Sequence, residues 1–414
     1  MPQKKREYSR RDFMKTAGTA GLGSALFSLG DSSPCRAGPS SEQPEHAKVP
    51  KRPFGKTGID VPVLALGGVL KMSDLLVFRQ AVRMGVTYWD TADSYKWGNN
   101  EQAIGKYFTK FSEDRKKVFL VTKSATSDPQ KLTEKLGASL EKMNTSYIDL
   151  YLIHYVNDAE KELTADVKAW AEKAKSNGKI RLFGFSSHKN MEKNMVTAAN
   201  LGWIDGIMMS YNYRLMHKAE MKKAVAACVT AGIGLTAMKT QAAFSANFYS
   251  TIGSETDDAI KMTEKFLEKG YTTEQARLKA VWENPDIASI CSAMPNMTIL
   301  KANVAAALNK QPLSQGDRQR LAVYAKRTAG GYCAGCAGIC ESAVDAQIPI
   351  SDIMRYCMYN HSYGDRKTAA YLFRKLPADV RHNLVRADYT KAENNCPQKI
   401  QIGEVLKKAH ENLA

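Results

Sequence analysis

A (β/α)8 barrel, the TIM-barrel form of the α/β class, is the fold the sequence predicts for most of this chain, and three observations predict it. Short apolar runs of strand length recur at residues 63–67, 86–90, 118–122, 148–153, 180–185, 206–211, 232–238 and 288–292. Stretches with helical periodicity separate them, among them 75–84, 101–108, 131–143, 163–176 and 216–230. Strand and helix alternating over such a length describe a parallel sheet closed on itself. Thirdly, ionisable side chains stand where three successive runs end: Asp90 and Tyr95, then Lys123, then His154. Loops at that end of barrel strands build active sites. A doubly wound sheet would need Gly-x-Gly-x-x-Gly after its first strand, and Gly67-Gly68-Val69-Leu70-Lys71 is not that.

Taken in order, the chain opens with Ser9-Arg10-Arg11-Asp12-Phe13-Met14-Lys15 and a weakly apolar Ala/Gly-rich run to Gly30. That segment resembles a twin-arginine export signal, read by the twin-arginine machinery, and places the protein in the periplasm. It is too short and too rich in glycine for a membrane span. Residues 1–40 are therefore assigned to signal and linker, and the Ser/Pro/Gly composition continues to residue 52. Phe54-Gly55-Lys56-Thr57-Gly58 reads as a turn between two extended pieces, a hairpin plugging the barrel floor. The barrel is assigned to 53–310 and a mostly helical extension to 311–414.

The formal charge of +17 raises the question of nucleic acid. Its lysines and arginines are interleaved with acids along the whole chain, and neither zinc-finger spacing nor an RNP-like aromatic stretch is present, so no nucleic-acid partner is expected.

The four strand-end residues make chemical sense together. A lysine ammonium beside a phenol favours the phenolate, so Lys123 is expected to lower the pKa of Tyr95. Asp90 would hold the lysine in place, and His154 would orient a carbonyl or hydroxyl oxygen. Tyr95 could then give a proton to that oxygen or take it back. Taken singly, each has an ordinary reading: a helix cap for Asp90, rim packing for Tyr95, a solvated charge for Lys123, a satisfied core histidine for His154.

With those residues in view, the chain from about Pro53 to Ala307 resembles the aldo-keto reductases. The resemblance is carried by Phe54-Gly-Lys-Thr-Gly58, Trp89-Asp-Thr-Ala-Asp-Ser-Tyr95, Asn100-Glu-Gln-Ala-Ile-Gly105, Leu120-Val-Thr-Lys123, Asp149-Leu-Tyr-Leu-Ile-His154 and Gly184-Phe-Ser-Ser187. It implies a catalytic tetrad at Asp90, Tyr95, Lys123 and His154, a small carbonyl or alcohol substrate, and a nicotinamide dinucleotide across the barrel mouth. Ser186 and Ser187 fall where that family holds the carboxamide, with Met208 in place of its glutamine, and Asn303 falls on its adenine contact. The basic residues that would grip a 2′-phosphate are missing, so NAD is favoured over NADP.

The extension carries Gly330-Gly-Tyr-Cys333-Ala-Gly-Cys336-Ala-Gly-Ile-Cys340 and, later, Cys396-Pro397. Thiolates at this spacing on a glycine-rich loop can converge on one metal centre. The pattern resembles the closing motif of a bacterial [4Fe-4S] site and, as a whole, the ferredoxin-like extension of a subgroup of aldo-keto reductases. One cluster on Cys333, Cys336, Cys340 and Cys396 is expected, with an electron-transfer partner or a bracing role. Zinc, two disulfides and an inert remnant are the other readings. The rival for the whole chain is a non-catalytic barrel that binds through a structural cluster or zinc.

Overall fold

The structure, a computed structural model, describes residues 47–70, 72, 74–242 and 271–414. Its first element is an antiparallel hairpin of β1 (Lys51–Pro53) and β2 (Asp60–Pro62). The turn between them tucks under the barrel: Lys56 N–H donates to Gly232 O at 2.8 Å, and Phe54 is fully buried against Phe119 with ring centroids 5.6 Å apart. Gly55 has φ +58°, and a Cβ there would lie 2.2 Å from Gly232 O, so only glycine allows the approach. The hairpin expected as a floor plug is present.

Eight parallel strands follow: β3 (Leu64–Gly67), β4 (Tyr88–Asp90), β5 (Phe119–Ser124), β6 (Ile148–Ile153), β7 (Ile180–Ser187), β8 (Gly206–Ser210), β9 (Gly234–Met238) and β10 (Ser289–Ala293). They pair in chain order, and β10 returns to β3 to close the barrel. Most strands are buried on both faces, which is why they are written as nearly unbroken apolar runs; Arg181 on β7 is exposed, and the end of β10 is half-buried. The helices between them start on side-chain caps. Asp128 accepts from Gln130 N–H before Pro129–Lys142, and Thr164 accepts from Val167 N–H before Ala165–Ser176.

Two apolar layers result. Inside the barrel lie Phe54, Tyr88, Phe119, Val121, Leu150 and Met208. Between strands and helices, Trp89 stacks on Phe108 at 5.6 Å and packs on Phe78 and Tyr107. Trp89 is fully buried, so its truncation to alanine costs about 3–5 kcal/mol.

Beyond the barrel the described chain is helical, as expected, with Gln315–Arg327, Ile350–His361, Arg366–Arg374 and Ile402–Leu413 the longest pieces. Ile353, Phe373, Leu384 and Leu406 form a core of their own. Gln315–Arg327 packs on the barrel's own core through Leu321 and Tyr324, while the later helices sit over the mouth and are fastened at two loops. Lys96, just after Tyr95, pairs with Asp365, and Trp97 meets Tyr371 edge to face at 4.5 Å. On the other side Lys189 pairs with Asp352 at 2.9 Å, and Asn190 Oδ1 accepts from Gly338 N–H at 2.9 Å.

The iron-sulfur extension expected here is corrected. Cys333, Cys336, Cys340 and Cys396 line one small cavity of about 20 Å³, room for little more than a water molecule. Among the described residues, no group of three or more His, Cys, Asp or Glu side chains is placed to hold a metal ion. All four are free thiols, and burial pushes Cys333 and Cys340 up to about 12. A [4Fe-4S] cluster and zinc fall with that geometry, and the electron-transfer partner expected with the cluster is left without support. The glycine-rich spacing has another cause. Gly335 has φ +81° and a Cβ on it would lie 2.3 Å from His188 O, while its own carbonyl accepts from Asn190 N–H at 2.8 Å. Glycine lets this loop press its backbone against the barrel.

Candidate active site

The four strand-end residues meet at the mouth. Asp90 ends β4, Lys123 lies one residue from the end of β5, and His154 follows β6 with its N–H on Ser124 O at 2.8 Å. The Lys123 ammonium is buried 2.5 Å from Asp90 Oδ1 and donates to Thr91 O at 2.7 Å. It lies 4.8 Å from the centre of the Tyr95 ring. Tyr95 and His154 meet edge to face, with ring centroids 5.5 Å apart. Tyr95 opens a tight turn, Tyr95–Gly98, in which Lys96 and Trp97 hold φ of 50° and 62°. Backbone this unusual for large residues persists because Asp365 and Tyr371 hold it from above.

Burial dominates the electrostatics. It pushes the Tyr95 phenol well above its ordinary range, with Asp90 adding to the push. The phenolate-favouring effect expected of Lys123 is outweighed by burial: the ammonium is drawn onto Asp90 and Thr91, 4.8 Å from the centre of the ring, and the phenol keeps its proton. Tyr95 is held as the acid. Burial also raises the Asp90 carboxyl against the opposing pull of Lys123. His154 is lowered well below the ordinary imidazole value by burial, then by Lys123 and Arg355, and its Nδ1 has no partner. The pocket thus holds a neutral imidazole and a protonated phenol beside a fixed cation. Such a set can protonate a carbonyl oxygen.

The residues aligned with dinucleotide contacts are placed as follows. Ser186 Oγ accepts from Tyr155 N–H at 3.2 Å. Ser187 Oγ donates to Val156 O at 2.9 Å and Lys189 O at 3.1 Å, so its hydroxyl serves the loop. Met208 is buried inside the barrel. Asn303 is buried and donates to Ser292 Oγ at 3.1 Å.

Several residues at the mouth escaped the sequence reading. Tyr155, with φ +66°, stacks on His154 at 3.5 Å, and the Arg355 guanidinium lies over its other neighbourhood, 4.4 Å from the ring centre. His188 is 5.1 Å from Tyr155. His188, Ser210 and Lys239 each stand where a barrel strand ends, the rule that found Lys123, and could have been found by it. Arg355 lies on the Ile350–His361 helix and has no such signal.

Comparison with known proteins agrees with the barrel. Residues 69–275, half of the chain, match the profile of the aldo/keto reductase family. The protein described as uncharacterized oxidoreductase YqkF of Bacillus subtilis (strain 168) is 26% identical over 306 residues, 67% of this chain and 97% of its own. Methylglyoxal reductase YeaE of Escherichia coli (strain K12) is 35% identical over 119 residues, 28% of this chain and 40% of its own. Among solved structures, the holo form of aldo-keto reductase AKR11C1 from Bacillus halodurans has a TM-score of 0.54 over 67% of this chain and 96% of its own. At 23% identity that likeness is one of fold. These matches lend no support to the twin-arginine signal expected at residues 9–15, which lie outside the described residues.

Proposed function

The chain belongs to the aldo/keto reductase family, and from that premise we propose that it moves hydride between a nicotinamide dinucleotide and the carbonyl–alcohol pair of a small molecule, with Tyr95 handling the proton. When bound, the dinucleotide supplies or accepts the hydride. In reduction Tyr95 delivers its phenolic proton to the carbonyl oxygen as carbon gains hydride, and the alcohol results; oxidation is the reverse. Lys123 stabilises the negative charge that Tyr95 acquires, and Asp90 keeps Lys123 aimed. His154, neutral, donates to or receives the same oxygen and sets its approach.

The observation that carries this reading is the buried Asp90–Lys123 pair lying against the ring of a protonated Tyr95. The residues at the mouth are uncharged donors suited to a carboxamide and an adenine. Ser186 accepts one backbone N–H and keeps its own hydroxyl hydrogen to give, and Asn303 stands at the end of the mouth formed by β10. In the segment from Ser292 to Asn303 the one cation, Lys301, is exposed, which supports NAD over NADP. The test is turnover of NADH and NADPH against a panel of aldehydes, ketones and keto acids, with the Tyr95→Phe protein alongside. Carbonyl-dependent oxidation lost in the variant supports the reading; equal rates in both proteins reject it.

A further inference from the structure

Tyr95 stands on a loop whose two flanks are tied to the barrel. Before it, Thr91 N–H donates to Val121 O at 2.9 Å and Asp93 N–H to Lys123 O at 3.0 Å. After it, in the first turn of the Asn99–Lys110 helix, Asn100 Nδ2 donates to Leu70 O at 2.9 Å and Glu101 Oε1 accepts from Thr122 Oγ1 at 2.7 Å. Between these flanks the backbone bonds among the described residues are local, Tyr95 N–H on Ala92 O and Trp97 N–H on Ser94 O, both at 3.1 Å. Two successive large residues there, Lys96 and Trp97, hold left-handed backbone, which bulky side chains rarely adopt and which persists where the surroundings enforce it.

Those surroundings come from the C-terminal helices. Lys96 pairs with Asp365, both side chains being partly buried. Asp365 is itself locked in place. Its N–H donates to Tyr359 O at 2.9 Å, and its carboxylate caps the Arg366–Arg374 helix, accepting from Thr368 Oγ1 at 2.8 Å and Thr368 N–H at 3.3 Å. Burial works to raise this carboxyl, and the hydrogen bonds from Lys96 and Thr368 overcome it and hold it below the ordinary carboxylate value. Lys96 thus meets a fixed anion. Trp97, half exposed, meets Tyr371 of the same helix edge to face at 4.5 Å.

We propose that Asp365 and Tyr371 are positioning residues for the proton transfer: through Lys96 and Trp97 they set where the Tyr95 phenol stands, so that the C-terminal helices complete the active site without touching a reacting atom. The inference rests on the carbonyl–alcohol reading above and extends its machinery beyond the barrel. The lever is short, because Lys96 follows Tyr95 directly and a turn of its backbone moves the tyrosine. A general acid must stand within about 2.6–3.2 Å of the oxygen it serves, and a displacement of about 1 Å can cost about 10²-fold in rate. Asp90, Lys123 and His154 are held by the barrel strands and stay where they are when the lever is released.

The experiment joins steady-state kinetics, on the carbonyl compound of the panel above that turns over fastest, to amide hydrogen exchange of the full chain. Lys96→Met and Asp365→Asn, the latter keeping a residue able to cap the helix, should each lower kcat by about 10- to 10²-fold and leave KM within about twofold. Lys96→Arg, which keeps the charge, should retain most of the rate. In the Tyr95→Phe background Lys96→Met should cost nothing further, because the group it positions is gone. Exchange at the Tyr95 and Trp97 amides should quicken in Lys96→Met, with thermal melts confirming that each protein is folded. Unchanged kcat in both single variants overturns the inference, and so does an equal loss with and without the Tyr95 hydroxyl. If the unaltered protein turns over no carbonyl compound, the hydride-transfer reading fails by itself; quicker exchange in Lys96→Met then still supports the hold on the turn, and unchanged exchange overturns it.

Discussion

The imidazole of His154 lies flat on the ring of Tyr155, centroids 3.5 Å apart and planes 14° from parallel. Tyr155 reaches that position from a left-handed backbone with φ +66°, uncommon for a bulky residue. The stack takes His154 out of water, and with Lys123 and Arg355 nearby the proton is kept off the ring.

Stability should therefore depend on pH below neutrality. The folded His154 stays unprotonated well below the ordinary value of 6.5, whereas the unfolded ring binds a proton there. The unfolded state then holds more protons, so unfolding free energy falls as pH drops below about 6.5 and is fully present above it. One such group gives a slope of about 1.4 kcal/mol per pH unit. Urea midpoints measured from pH 7.5 to 5 should show it, and His154→Gln should remove one group's share of it, leaving that of His188, which burial also holds well below the ordinary value. A variant with the unaltered slope would assign the effect to other groups.

Tyr95→Phe should lower turnover by about 10²- to 10⁴-fold, the ordinary worth of a placed proton donor. Folding should be preserved, because the hydroxyl makes no hydrogen bond among the described residues and the ring contact with His154 remains. Steady-state rates beside a thermal melt separate the two effects.

The Asp90–Lys123 pair should be costly to break from one side. Lys123→Met leaves a buried carboxylate alone and should destabilise by about 3–5 kcal/mol. Replacing both, as Asp90→Asn with Lys123→Met, should recover part of that loss while activity stays absent. Chemical denaturation of the three proteins decides it; a double variant as unstable as the single one would contradict the pairing.

Gly335→Ala should loosen the C-terminal helices from the barrel. Its methyl would meet His188 O at 2.3 Å, and the left-handed backbone itself costs an alanine about 1–2 kcal/mol. Gly202→Ala is the control, with φ +72° and open space around it. Hydrogen exchange should rise across residues 344–414 in the first variant while the barrel strands stay protected, and should be unchanged there in the second.

The parts of the molecule legible in the sequence are those where a residue's neighbour along the chain determines its surroundings. The strands were legible because burial on both faces leaves an unbroken apolar run, and β6 begins and ends where that run does. The gathering of Asp90, Lys123 and His154 was legible because whatever follows a barrel strand faces the mouth. The extension was not legible in the same way. Cysteine and glycine at close spacing suit a metal loop and suit a close backbone contact equally, and only the position of His188 O beside Gly335 separates them. Nor does the sequence say which way the Lys123 ammonium turns; Thr91 O and Asp90 take it, and the phenol keeps its proton.

The two fastenings over the mouth impose an order of assembly. Lys96 and Asp365 are 269 residues apart, and Lys189 and Asp352 are 163 apart. During synthesis β10 leaves the ribosome before any residue of the Ile350–His361 helix, so the barrel can close while its mouth is still open. Whatever is sealed beneath those helices can therefore enter a nascent chain freely, and in the finished protein must wait for a fastening to let go.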